Sequence, residues 1–420
     1  MTKVLFIGLA ESSHTASWID LLENSKVEFA LFGLPTGALP ASKTIPTYMS
    51  DPRARRGARS YNLLNLKPLS IFSLNMLRLS VELLKQFQRV SRVYYRIVLR
   101  RVKHQNLHRG GELLLKFQLR AFIRTFQPKI VHTLGVFPSA DLFLSIADEF
   151  PNIAWVAQVR GGPDLELSVF DPIKKGSIQL VFEKARRIIC DSESNYQLAE
   201  QLGADSRKFS FGVVSGSGGL DLDKFAYESD SFETKLTSRR VVWPKVYESI
   251  TSKASPVIEA INIAWDDIQP VTFTFLWLED KELELWMRSY LRPEILSSIK
   301  ILNRIAHSDA LGFIRDAQVL LAPSLMDGIP NVMLESMMLH TVPIVSPIRT
   351  IKSFVSDPEN VIFARNLYPE EIASALIRAL NDSDGNVKRV TANRMLAQTK
   401  YDRAEIKNRL AQMYEQLAGS

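Results

Sequence analysis

"VLLAPSLMDGIPNVMLESMM", residues 319–338, runs from an apolar stretch into an acid, a glycine and a proline, and then into a second apolar stretch broken by Asn331 and Glu335. The opening "VLLAPS" reads as a buried strand, and a helix begins at about Pro330, since proline is favoured at the first helical position. Strand, Gly-Pro loop and helix in that order make a unit of a parallel sheet, and such sheets bind ligands at the carboxyl ends of their strands. The unpaired backbone N–H groups and the dipole at that helix start favour an anion, which Gly328 would let approach the backbone closely. Asn331 and Glu335 are four residues apart and share one helical face. Glu335 sits among Val332, Met333, Leu334, Met337, Met338 and Leu339, so its carboxylate needs a partner. Ligand hydroxyls would serve, as would a buried Arg or Lys between domains.

The same alternation extends along the chain. Strand-like runs at 3–9, 28–34, 129–135, 153–159 and 187–190 are followed, after the polar stretch "ESDSFETK" at 228–235, by a second series at 271–278, 298–303, 319–324, 342–347 and 360–364. Helical patterns near 255–267, 280–291, 308–317, 330–340 and 369–381 separate the second series. Strands alternating with helices predict α/β architecture, here two doubly wound Rossmann-like domains facing across a cleft. The expected boundaries are 1–230, 231–392 and a terminal helical segment 393–420 that packs back on the first domain.

Composition narrows the function classes. The chain has 420 residues, 46% hydrophobic and 23% charged, with a single cysteine, Cys190, at the end of a strand-like run. Disulfides within the chain and a cysteine-built zinc site are excluded, and a reducing, cytoplasmic setting fits. The N-terminal apolar run is short and reads as a first strand; no stretch is long enough to span a bilayer. Net charge is +7, but between residues 52 and 125 seventeen Lys and Arg oppose only Glu82 and Glu112, so the rest of the chain is net acidic. A basic segment on an acidic body points to an anionic partner, whether membrane surface, nucleic acid or charged glycan. Within the basic helical segment 69–125, Met76, Leu79, Leu83, Phe87, Val90, Tyr94 and Ile97 form an apolar stripe. Arg78, Lys85, Arg89, Arg92, Arg96 and Arg100 lie opposite it. Such a helix either covers the first domain's core with its cations solvated or docks on anionic lipid.

The Gly-Pro loop with acids eight residues apart, Asp327 and Glu335, resembles the paired-acid motif of the family 4 retaining glycosyltransferases, the group 1 glycosyltransferases of GT-B fold. The likeness runs from Pro128 to the C-terminus. "RRVVWPK" is similar to that family's Arg and Lys five apart, here Arg240 and Lys245; "GGLDLDKF" at 218–225 resembles its N-G-V-D-x-x-x-F segment; "VRGGPDLE" at 159–166 resembles its H-G-x-D segment. The resemblance implies a metal-independent transfer of sugar from a nucleotide-sugar donor to a glycan or lipid-linked glycan, without a cofactor, in bacterial surface-polysaccharide assembly. It implies Arg240 and Lys245 on the diphosphate, with Gly328, Ile329, Pro330 and Asn331 at the helix end. Glu335 falls on the ribose, Asp327 on the transferred sugar, and Arg304 and Ile305 near the base. Gly8, His14, Arg160 and Asp164 fall on the acceptor side. The chain departs from the pattern at Asp327, one methylene shorter than the usual Glu, at Gly218 for Asn, at Arg160 for His, and at Gly8, which stands where a Gly-Gly pair is usual.

Other signals carry less. "DLD" at 221–223 has the look of a metal motif but the position of a turn, and "SGSGG" at 215–219 lacks the ending of a phosphate-binding P-loop. His104 and His108 have the spacing of a metal pair without the glutamate or third ligand that would complete it. Two further function classes stay open: a GT-B-like binding or scaffold protein without turnover, and a nucleic-acid-binding protein. The second lacks any groove-reading or stacking motif, so the expected partners are nucleotide sugar, glycan acceptor and anionic membrane, not nucleic acid. A cytoplasmic protein with docking on the inner membrane's cytoplasmic face follows from the same features.

Overall fold

The computed structural model describes residues 2–34, 45, 47–49, 105–209, 211–225, 232–303 and 305–419. The basic stripe from Met76 to Arg100, His104 and Arg304 lie outside these residues. Two six-stranded sheets organise the chain. The first contains β1 (Thr2–Gly8), β2 (Val27–Gly33), β3 (Thr47–Met49), β4 (Ile130–Leu134), β5 (Ala154–Gln158) and β6 (Arg187–Ile189). The second contains β7 (Arg240–Trp243), β8 (Thr272–Leu276), β9 (Ile299–Leu302), β10 (Val319–Ala322), β11 (Val342–Val345) and β12 (Ile362–Phe363).

All pairings are parallel, in the orders β3-β2-β1-β4-β5-β6 and β12-β11-β10-β7-β8-β9. Both are the Rossmann order, which reverses between its first and fourth strands, so each sheet has one switch point: β1/β4 in the first domain and β7/β10 in the second. The inner strands β4 and β10 and their neighbours β5 and β11 are buried along their whole length, which is why they read as near-continuous apolar runs rather than alternating ones. Leu5 and Ile7 enter one core while Val4 and Phe6 enter another. Val241 and Trp243 point one way, and Val242 the other.

The connection between domains differs from the expected boundary in one respect. Residues 393–401 end a helix, Ser383–Tyr401, whose Ala397 and Tyr401 are buried in the second domain. The segment that returns to the first domain is the next helix, Arg403–Gly419, which buries Ile406, Leu410, Met413, Tyr414 and Leu417 against Trp18, Leu21 and Leu22. The chain thus crosses at Asp402, beside its earlier crossing at Leu220: Leu220 donates to the Tyr401 carbonyl at 2.7 Å and Arg403 donates back to the Leu220 carbonyl at 2.9 Å. "SGSGG" supplies the turn there, with Gly218 and Gly219 at φ +80° and +90°, and "DLD" leads into a short 3-10 helix, Leu222–Phe225, ahead of which Asp221 pairs with Lys224 at 3.1 Å. Among the described residues, no helix is long and apolar enough to cross a membrane.

Candidate functional site

The loop after β10 is positioned from below by the loop after β7. Leu325 donates to the Thr251 carbonyl at 2.8 Å, Ser324 donates to Ser346 Oγ at 3.0 Å, and Thr350 Oγ1 donates to the Asp327 carbonyl at 2.7 Å. Asp327 then faces Lys245, which lies two residues past β7: Lys245 Nζ donates to Oδ2 at 2.9 Å, while the Gly328 N–H donates to Oδ1 at 2.9 Å. Burial opposes the charge on Lys245, but Asp327, Tyr247 and Glu335 outweigh it and raise its pKa. This pair stands at the switch point of the second sheet, where a cleft is lined also by Trp243, Ser252 and Pro330.

The helix after the loop spans Asn331–Met338, begins behind Pro330, and has no side chain capping its start. Its leading amides are therefore available to a ligand at the same place as the Lys245 ammonium. Ile329 is buried beneath the turn. Glu335, one turn further on, finds neither Arg nor Lys: its partner is His307, whose Nε2 lies 2.8 Å from Oε1. The Glu335 carboxylate is 12% exposed and His307 is 68% exposed, and the hydrogen bond raises the histidine's pKa above its ordinary value.

The first domain supplies the opposite wall. Asn331 Nδ2 is 3.0 Å from His14 Nδ1, and Asn331 Oδ1 accepts from Ser217 Oγ at 2.8 Å. Burial, with Arg160 and Lys245 nearby, lowers the His14 pKa to about 4, so the ring is neutral at pH 7; Asp327 and Glu335 act in the opposing direction. Arg160, just past β5, is also depressed by burial, to about 10, against the pull of Asp164 and Asp191. Gly328 packs against Asp191 and Gly161 so closely that a Cβ there would overlap the Asp191 carboxylate. Asp191 in turn accepts from the Gly161 N–H at 2.6 Å and from Asn195 Nδ2 at 2.7 Å. Arg349 ties the domains again, donating to the Ser194 carbonyl at 3.3 Å and lying 3.7 Å from Glu166.

The structure thus gathers Lys245, Asp327, Gly328, Pro330, Asn331, Glu335, His14 and Arg160 at one cleft. It does not bring Arg240 there. Arg240 is the first residue of β7 and exposed, whereas Lys245 follows the strand's other end; at about 3.3 Å per residue the strand separates them by more than 10 Å. The cation that shares the β7 loop with Lys245 is Lys253, just ahead of the helix Ser255–Ile268 and 3.6 Å from Glu248. Asp164 is also redirected. Its two oxygens accept from the backbone N–H groups of Val136, Phe137 and Arg160, so it holds the loop after β4 instead of facing the cleft. Gly8 ends β1, where a Cβ would stand 3.2 Å from the Leu134 Cβ, and Ile305 packs against the second domain's core. His307, Asp191 and Lys253 escaped the sequence reading, although the rule that ligands meet strand ends would have drawn attention to each. Trp277, at the end of β8, is a further such residue, 43% exposed and held at φ +66°.

Comparisons with known proteins bear on the fold that carries this site. Residues 257–382 match the family model of the group 1 glycosyl transferases. No curated protein matches the chain by sequence. Among solved structures, sucrose-phosphate synthase from Thermosynechococcus elongatus superposes with a TM-score of 0.69 at 14% identity, over 100% of both chains. HepE of Anabaena in complex with UDP-glucose gives 0.66 at 12% identity, over 99% of this chain and 100% of that one. TarM of S. aureus, in complex with fondaparinux, alpha-GlcNAc-glycerol and UDP, gives 0.55 at 13% identity over 72% of this chain and 59% of the other. The shared feature at these identities is the fold, which is GT-B.

Proposed function

We propose that this protein is a retaining glycosyltransferase that moves a sugar from a nucleotide-sugar donor to a glycan or lipid-linked glycan. The observation that carries the reading is the Lys245–Asp327 pair beside an uncapped helix start, at the switch point of the second sheet and facing His14 and Arg160 across the cleft. In that role the donor diphosphate lies against Lys245 and the leading amides of the Asn331–Met338 helix, with Lys253 as a second cation, and Glu335 accepts from ribose hydroxyls. The base falls at the ends of β8 and β9, near Trp277 and Ile305. Transfer breaks the bond from the sugar's anomeric carbon to phosphate, forms one to the acceptor oxygen, and passes the acceptor's proton to the departing phosphate. Negative charge grows on that phosphate, and preorganised positive groups stabilise it. Lys245 and the helix-end amides supply these, so the reading requires neither a metal ion nor a cofactor. The family-model match and neighbours whose structures hold UDP or UDP-glucose support it.

A lipid-linked acceptor, and with it bacterial surface-polysaccharide assembly and docking on an anionic membrane, belongs to the same proposal. It is supported by the seventeen cations in residues 52–125 and by the exposed Phe170 and Ile173 of the first domain. The test of the central reading is titration calorimetry with UDP-, GDP-, ADP-, CMP- and dTDP-sugars. Wild type binds one class of donor, and Lys245→Ala and Glu335→Ala each weaken it about tenfold or more, as expected for hydrogen bonds to charged groups. Folded wild-type protein that binds none of them would make this a GT-B-fold binding protein without turnover.

A further inference from the structure

The first-domain wall of the cleft holds a guanidinium whose hydrogen bonds all go to neutral acceptors. Arg160 Nε donates to Gln158 Oε1 at 3.3 Å, Nη1 to Thr15 Oγ1 at 3.2 Å, and Nη2 to the His14 carbonyl at 3.5 Å. A guanidinium has five N–H groups, and among the described residues no carboxylate forms an ion pair with this one. Asp164 and Asp191 are close enough to favour its charge. Their oxygens, however, are committed to the amides of Val136, Phe137, Arg160 and Gly161 and to Asn195. The two acids keep the guanidinium ionised without covering its donors.

A second unmatched donor belongs to the residue that Arg160 Nε contacts. Gln158 ends β5 with 1% exposure; its Oε1 is fixed by Arg160, and its Nε2 has no partner. Anchoring of the loop after β1 explains the bonds to Thr15 and His14 but leaves this buried amide unsatisfied, which costs free energy unless a ligand completes it. The acceptors that match a planar guanidinium fork are carboxylate and phosphate; the donor diphosphate is assigned above to Lys245 and the helix start on the opposite wall, which leaves a carboxylate for Arg160.

Resting on the donor site proposed above, we infer that Arg160 and Gln158 form a carboxylate-reading subsite, and that one of the two sugars this protein joins is a uronic acid. The carboxylate can arrive on the donor or on the acceptor, and the two sources are separable. In the donor arm, affinities for UDP-glucuronate and UDP-glucose are compared, along with the corresponding GDP-mannuronate and GDP-mannose pair. In the acceptor arm, glucuronoside and glucoside are compared in the presence of the nucleoside diphosphate that binds. The quantity read is the acid-to-neutral affinity ratio within each variant, so general losses cancel. Wild type favours the acid in one arm by about tenfold or more; Arg160→Gln brings the ratio to near one, and Arg160→Lys, which keeps the charge without the fork, retains part of it. Nucleoside diphosphate binding that Lys245→Ala removes, together with no acid preference in either arm, overturns the subsite and leaves the donor site standing. An acid preference that survives Arg160→Gln also overturns it. Loss of nucleotide binding altogether would instead remove the donor site.

Discussion

Asp327, Glu335 and Lys245 answer the question raised by two acids in an apolar loop and helix: each carboxylate has a basic partner drawn from elsewhere in the second domain. Asp327 meets Lys245 at 2.9 Å and Glu335 meets His307 at 2.8 Å. The second pair gives a pH dependence with a definite sign. Because Glu335 raises the His307 pKa, the pair stabilises the fold fully below the histidine's unfolded value of about 6.5 and loses that contribution as pH rises through the higher folded value. The melting-temperature gap between wild type and His307→Gln is accordingly wider at pH ~6 than at pH ~8. Equal gaps at both values would mean that the proton is not held by this pair. Asp327 and Glu335 were legible as candidates because both lie in one continuous βα unit. Their pairing was not: Lys245 was expected at the site through the resemblance but not as the partner of Asp327, and nothing local in "RIAHSD" marks His307, because both come from the loops after other strands.

Strands and helices were legible for a reason that also explains one error. Fully buried parallel strands are apolar on both faces, so they stand out as runs, and "VLLAPS" and "VPIVSP" became β10 and β11; "VTFTFLWL" became β8, in which threonines alternate with the buried Phe273 and Phe275. "RRVVWPK" is such a run too, but its flanking cations suggested one anion site. As β7 it separates them, leaving Lys245 at the ligand-binding edge and Arg240 at the other. The turn at Gly218 and Gly219 has no room for a single added carbon. A Cβ at Gly219 would lie 2.6 Å from Ile406 Cδ1 and 2.7 Å from the Tyr401 carbonyl, on a backbone at φ +90°. Gly219→Ala should cost about 1–3 kcal/mol and lower the denaturant midpoint of the first domain, whose core includes Ile406. An unchanged midpoint would show that the two chain crossings are loosely packed.

For the whole molecule, the close contact of Gly328 with Asp191 makes domain approach the vulnerable quantity. Gly328→Ala places a methyl against the carboxylate and against Gly161 Cα, 3.2 Å away, so the domains must separate. The expected outcome is a larger radius of gyration by small-angle scattering and at least about tenfold weaker donor binding, because the opposing walls no longer meet the ligand together. A variant that scatters like wild type and binds donor equally would place the flexibility in the loop instead. The sequence by itself determined two α/β domains and the Gly-Pro loop that ends in a helix start, because strand burial and helix capping are written in neighbouring residues. Only the tertiary structure decided which residues face that loop. Asn331 meets His14 across 317 positions, Arg160 meets Thr15 across 145, and the chain passes from one domain's core to the other's at Asp402, between its last two helices. Such partners are chosen by the strand order and by the packing of one domain on the other, and side chains that meet only through that geometry leave no pattern along the chain.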